Sequence, residues 1–122
     1  IQENKHRAVL IPIPASTREK NRIRYQEFCR KLSADIGVAD GYEAITLTAD
    51  RPQLKGTHGQ DKTANLEFHP EYFNGKCCLL IDDLLTTGEG FIQTKRKLIE
   101  HGAKFVIGLF LAKTIAFEDE QE

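Results

Sequence analysis

The sequence is short of features that would settle its class at once. None of its apolar runs approaches the roughly 18 residues a membrane helix needs, and the longest, Phe105 to Ala112, has the length of a strand. The opening IQENKHR carries no apolar core of the signal-peptide kind. We therefore expect a cytoplasmic protein with no membrane partner. The chain does not begin with methionine, which leaves open a piece of a longer protein. Cysteines number three, Cys29, Cys77 and Cys78. An odd count, with two adjacent in an apolar run, argues against a disulfide framework and for a reducing compartment. No C-x-x-C spacing and no histidine at ligand distance accompany them, so they read as reduced, buried residues and not as a metal site. Net charge is −1, which argues against direct nucleic-acid binding. Repeats and low-complexity segments are absent. With 122 residues, 40% of them apolar and 29% charged, the expectation is one soluble domain spanning residues 1–122.

What is there is an alternation of elements. Ala8 to Pro14, AVLIPIP, reads as a buried strand ending in prolines, where ladder donors are no longer needed. A polar loop, PASTREK, comes next. A helix is predicted from about Glu19 to Ile36, because Tyr25, Phe28, Cys29, Leu32 and Ile36 share one face and Gly37 is a natural stop. A turn at Ala39-Asp40-Gly41 leads to a second strand, Glu43 to Thr48. The polar stretch 49 to 70 holds two prolines and two glycines, and a loop this long is usually functional or disordered. We take 50–70 as a flexible loop. Lys76 to Ile81 is apolar on both faces, as in the middle of a parallel sheet. Thr86-Thr87-Gly88-Glu89 has the T-x-x-E form of a capping box and opens a helix to His101, with Phe91, Leu98 and Ile99 on one face and Gly102 as terminator. Phe105 to Ala112 is a fourth buried strand, and the acidic tail 117–122 is a solvated end. The pattern implies an α/β fold, a mainly parallel sheet with flanking helices and right-handed crossovers. Ligands collect at the C-terminal strand ends of such sheets, and both PASTREK and DDLLTTGEG lie there.

The stretch CCLLIDDLLTTGEG, residues 77 to 90, concentrates the chemistry. A helix approached through Thr-Thr-Gly offers free backbone N–H groups, two hydroxyls and a positive dipole end, which suits a phosphate. Charge-assisted bonds there are worth on the order of 1.5–3 kcal/mol each. Asp82 and Asp83 cannot share that phosphate without repulsion. They can accept hydrogen bonds from vicinal hydroxyls or reach a divalent cation. A sugar phosphate or nucleotide offers both features in one molecule. Taken alone, the two aspartates read first as a capping or turn pair after a strand, and a receiver-domain acid pair is a further alternative. A Walker A loop and a G-x-G-x-x-G turn are both absent.

Taken whole, the string resembles the phosphoribosyl-pyrophosphate motif of type I phosphoribosyltransferases. IPIPASTREKNRIRYQEFCRKLSADIGV looks like the matching upstream segment of the ComF-type competence and GntX-like branch, through Pro12, Pro14, Arg24, Tyr25 and Gln26. The similarity covers roughly residues 8 to 113. It implies a phosphoribosyltransferase-like core in which Asp82 and Asp83 hold the ribose hydroxyls and one of them offsets charge developing on the sugar. Thr86, Thr87 and Gly88 would then bind the 5′-phosphate. Ala15, Ser16, Thr17 and Arg18 would receive the pyrophosphate, with Arg18, Arg22 or Arg24 and Mg²⁺ adding positive charge. In such enzymes a mobile loop closes over the reacting centre. Lys55, His58 and Lys62 are its candidate cations here.

Two departures from the family pattern bear on activity. Gly90 stands where many members have Thr or Ser, and Glu89 lies near the phosphate position. The chain also starts and ends close to the core strands, so no hood for a base or amine is expected. Two functions are in view. One is transfer of a phosphoribosyl group with release of pyrophosphate. The other is a non-catalytic module that senses a nucleotide and signals to a protein partner, for a ComF-like chain one in DNA uptake or processing. Direct DNA binding through residues 18 to 31 is the weaker third reading. The acceptor, the metal ligands and the oligomeric state are left open.

Overall fold

The computed structural model describes residues 7–49, 63–83 and 88–111. Its frame is a four-stranded sheet in the order β2-β1-β5-β6, built from β1 (Ala8–Pro12), β2 (Ala39–Asp40), β5 (Cys77–Asp83) and β6 (Phe105–Leu111). Every neighbouring pair is parallel. Register places Val9 beside Cys78 and Cys78 beside Val106, so alternate residues of the three long strands share a face. A mainly parallel α/β sheet is what the sequence pattern implies.

One face packs Val9, Ile11, Cys78 and Leu80 against Leu98, Phe73, Ala44 and Ile45. Leu98 belongs to α3 (Glu89–Glu100). The other face packs Leu10 and Ile81 against Tyr25 and Cys29. Those two side chains come from a helical stretch of three parts: α1 (Arg18–Asn21), a wide π-turn (Arg22–Gln26) and α2 (Glu27–Ile36). Gly37 ends it in the left-handed region at φ 77°, donating to the Ser33 carbonyl, as the glycine signal predicts. Gly102, at φ 114°, lies two residues past the end of α3.

Several expectations change in the structure. Ala39–Asp40, read as a turn, is the edge strand β2 beside β1. Its identity comes from pairing with Val9 and Leu10, and two residues show no periodicity. Glu43 to Thr48 does not join the parallel sheet. Tyr42–Ala44 is a 3-10 turn, and β3 (Ile45–Leu47) pairs antiparallel with β4 (Leu66–Phe68) in a separate hairpin stem. The end of the supposed loop 50–70 is thus ordered by Leu66 and Phe68 packing on the core. Glu89 is the first residue of α3, behind Gly88 at φ 92°, and Thr86 of the T-x-x-E pattern lies outside the described residues. Thr94 replaces Ile99 on the buried face of α3, and Ile36 is left 47% exposed at the last residue of α2.

The fourth strand is also not buried throughout. Phe105 and Ile107 of β6 are 58% and 51% exposed. Cys29 and Cys78 are buried and all three cysteines are free thiols in the structure. Burial pushes the Cys29 and Cys78 thiols up to about 12, with the Asp40 charge adding at Cys29 and Cys77 adding at Cys78. No helix among the described residues is long and apolar enough to cross a membrane.

Candidate functional site at the C-terminal strand edge

The prolines that close β1 shape the first loop. Ile13 N–H donates to the Ile81 carbonyl at 2.9 Å, which carries β1–β5 pairing to the very edge of the sheet. The chain then turns through Ala15, Ser16 and Thr17 into α1. Several polar groups of this turn are used inside the protein. Ala15 N–H donates to Asn21 Oδ1 at 2.9 Å. Thr17 Oγ1 accepts from Lys20 N–H at 3.1 Å, an ordinary N-cap. Arg18 reaches away from the turn, with Nε donating to the Leu47 carbonyl at 3.2 Å and Nη2 to the Thr48 carbonyl at 2.5 Å. It thereby ties the first loop to the end of β3.

Of the residues predicted to receive pyrophosphate, Ala15, Thr17 and Arg18 therefore hold the loop in shape. Ser16 sits half-buried between them. Three further arginines between residues 18 and 31 are also engaged locally. Arg22 pairs with Glu19 at 2.7 Å, Arg30 with Glu27, and Arg24 lies 5.8 Å over the Tyr25 ring. These exposed pairs are worth little individually. Glu27 is held below the usual carboxylate range by its bond from Arg30.

The second half of the edge is formed by β5. The strand runs through both aspartates, with Asp82 beside Phe110 and Asp83 beside Leu111 of β6. Asp82 is only 5% exposed, a carboxylate at the end of a central strand. Thr86 and Thr87 of the phosphate loop lie outside the described residues, as do Lys55, His58 and Lys62. Gly88 is described. Its φ of 92° lies in the region that side chains rarely adopt, and it delivers the chain into α3, where Ile92 N–H donates to its carbonyl. Gly90 and Phe91 come next in the first turn, and Phe91 packs against Phe110 with ring centroids 5.2 Å apart.

Sequence reasoning passed over several residues. Asn21 lies within a basic run and reads as solvated, yet it is 6% exposed and holds the first loop. Thr46 Oγ1 and His69 Nε2 share a hydrogen bond of 2.9 Å that staples β3 to the chain beyond β4. Tyr42 and Arg18, with Asn21, Ile45, Thr46 and Leu47, line a pocket of about 200 Å³ beside the first loop. Burial raises the Tyr42 phenol above its ordinary value, so it stays protonated. Each of these roles depends on contacts far apart in sequence.

Among the described residues, no three His, Cys, Asp or Glu side chains gather into a metal cage. Comparison with curated proteins finds similarity to an orotate phosphoribosyltransferase of Pyrococcus abyssi (strain GE5 / Orsay), at 31% identity over 99 residues. The alignment takes in 77% of this chain and 52% of the relative, so the chain spans about half the length of the curated relative it matches. No family model matches the chain, and no solved structure matches it. The similarity supports the type I phosphoribosyltransferase family, and the parallel α/β sheet is consistent with its core.

Proposed function

We propose that the chain forms the ligand-binding core of a type I phosphoribosyltransferase, taking phosphoribosyl pyrophosphate or a nucleotide at the C-terminal edge of β1 and β5. The observation that carries this is Asp82, a carboxylate buried to 5% exposure where a central parallel strand meets the ligand-binding edge. An ionised carboxylate only accepts, at about four lone-pair sites, and vicinal ribose hydroxyls are donors of the right kind for it. In this reading Asp82 and Asp83 take the ribose hydroxyls and one steadies positive charge as the anomeric centre acquires oxocarbenium character. Thr86, Thr87 and Gly88 take the 5′-phosphate, and the turn from Ala15 to Arg18 faces the pyrophosphate.

Mg²⁺ is commonly held by one or two carboxylates plus substrate phosphates and not by an all-protein cage. Asp82 and Asp83 fit that mode, and either would hold the ion. When bound, it would supply neutralising charge to the departing pyrophosphate. The chain's own part is to fix the sugar and to keep the first loop in shape through Asn21 and Arg18.

A second reading is a ComF-type module that binds the same ligand without turnover and signals to a protein partner in DNA uptake or processing. What favours it is the internal use of the Ala15 N–H, the Thr17 hydroxyl and the Arg18 guanidinium, together with Gly90. Calorimetry with Mg²⁺ and phosphoribosyl pyrophosphate separates these readings. The wild type should bind, and Asp82→Asn should bind about tenfold or more weakly, since a bond to a charged group is lost. Absence of heat from the wild type would sink both. Release of pyrophosphate with an acceptor from a panel of bases and amines, orotate included, supports the transferase; binding without release supports the sensor.

A further inference from the structure

We infer that the pocket between the first loop and the hairpin stem is a binding site for a small ring compound bearing a carboxylate or similar oxygen acceptor. The inference rests on the orientation of one buried amide and does not depend on the phosphoribosyl reading. Ala15 N–H can only donate, so the Asn21 atom 2.9 Å from it must be the oxygen. This fixes the amide and points its NH₂ group the other way. Asn21 is 6% exposed and lines the pocket. Among the described residues, no acceptor meets that NH₂.

A buried donor left without a partner is costly, and native structures keep few of them. A bridging water would satisfy it, yet the pocket of about 200 Å³ has the volume of about six or seven waters. Its other walls define what fits. Ile45 and Leu47 supply apolar surface and Tyr42 an aromatic ring. Arg18 is the charged residue among the described lining, and no acidic side chain joins it. Thr46 has its hydroxyl engaged with His69. A flat apolar body with an oxygen acceptor at one end meets all of these at once. A cationic amine offers the Asn21 NH₂ and Arg18 no acceptor.

Occupancy of the pocket would be felt in the first loop, because the same amide holds Ala15. Benzoate is a suitable probe, titrated into ¹⁵N-labelled full-length chain with no sugar phosphate present. The Asn21 side-chain NH₂ and the Ala15 backbone N–H should shift together and saturate, and benzylamine should leave both in place. Asn21→Asp keeps an oxygen for the Ala15 N–H and removes the NH₂ donor, and the remaining backbone amides of its ¹⁵N spectrum, unmoved from the wild type, report that the fold is kept. The substitution should weaken benzoate binding about tenfold or more, as expected for loss of a bond to a charged group. Absence of movement at the Asn21 amide in the wild type overturns the inference, and so does an Asn21→Asp variant that binds benzoate as the wild type does. The calorimetric test of the phosphoribosyl ligand is a separate measurement, so either idea can fail alone.

Discussion

Strands β5 and β6 lie side by side in one sheet and read almost alike in sequence, CCLLI against FVIGLFL. They end in different surroundings. Cys78, Leu80 and Ile81 of β5 are fully buried, between α3 on one face and the π-turn with α2 on the other. On β6, Val106 and Leu109 reach those two clusters, while Phe105, Ile107 and Phe110 stay about half exposed. The difference is one of position. A central strand is covered twice by its neighbours and by both layers of helix, whereas a strand at the edge of the described sheet receives only what the helices overhang. An apolar run signals a strand of a parallel sheet, and it does not say which place in the order the strand takes.

The comparison breaks most visibly at Leu80. Leu80→Ala should lower stability by about 2–5 kcal/mol through lost burial and the cavity left behind, read from the urea midpoint. A loss below about 1 kcal/mol would put β5 on the same footing as the edge. Gly41→Ala tests the opposite edge, where a Cβ would stand 2.6 Å from Val9 Cγ2 and 2.7 Å from the Leu10 carbonyl oxygen. The oxygen is backbone and cannot step aside, so a cost of about 1–3 kcal/mol is expected. A neutral result would show that β2 is held less closely.

The thiols sharpen the picture from the side of pH. Cys29 and Cys78 sit at about 12 in the folded chain against an ordinary value near 9. Their raised values contribute stability that is present below about 9, where the unfolded chain keeps its thiols protonated. It is lost as pH climbs towards the folded values. The thermal midpoint should therefore fall above about pH 9, and less steeply in a Cys29→Ala, Cys78→Ala variant measured against its own neutral-pH value. Equal slopes would remove the thiols from the account. The smallest effect belongs to the edge: Ile107→Thr should change stability by under about 0.5 kcal/mol. A larger loss would mean that this side of β6 is covered in solution.

Much of the fold was open to reading because it is written in local patterns. β1, β5, α3 and β6 emerge from apolar runs and periodicity, and Gly37 and Gly102 mark helix ends through their backbone freedom. The places that misled are those where pairing decides. Ala39–Asp40 becomes a strand only because Val9 and Leu10 lie beside it. Ile45–Leu47 looks like a core strand and is drawn off by Leu66–Phe68. The site divides the same way. Asp82 was legible as a carboxylate ending an apolar strand. Asn21 was not, since its partner is the backbone of a loop and its surroundings are typical of a solvated helix. Arg18 also bonds to the carbonyls of Leu47 and Thr48, a role that no pattern in its neighbourhood announces.

A π-turn holds one more residue than the α-turn it replaces, so Arg22–Gln26 adjusts the phase between α1 on one side and α2 on the other. Upstream, Asn21 is aimed at Ala15; downstream, Cys29 is aimed at the sheet. Removing one residue between them would rotate one end against the other by about 100°, and only one of the two contacts could survive. Substitutions at the exposed Arg22, Ile23 and Arg24 leave that phase alone. For this part of the chain the spacing is the constraint, and relatives should keep the number of residues between the loop and the sheet more strictly than they keep the letters.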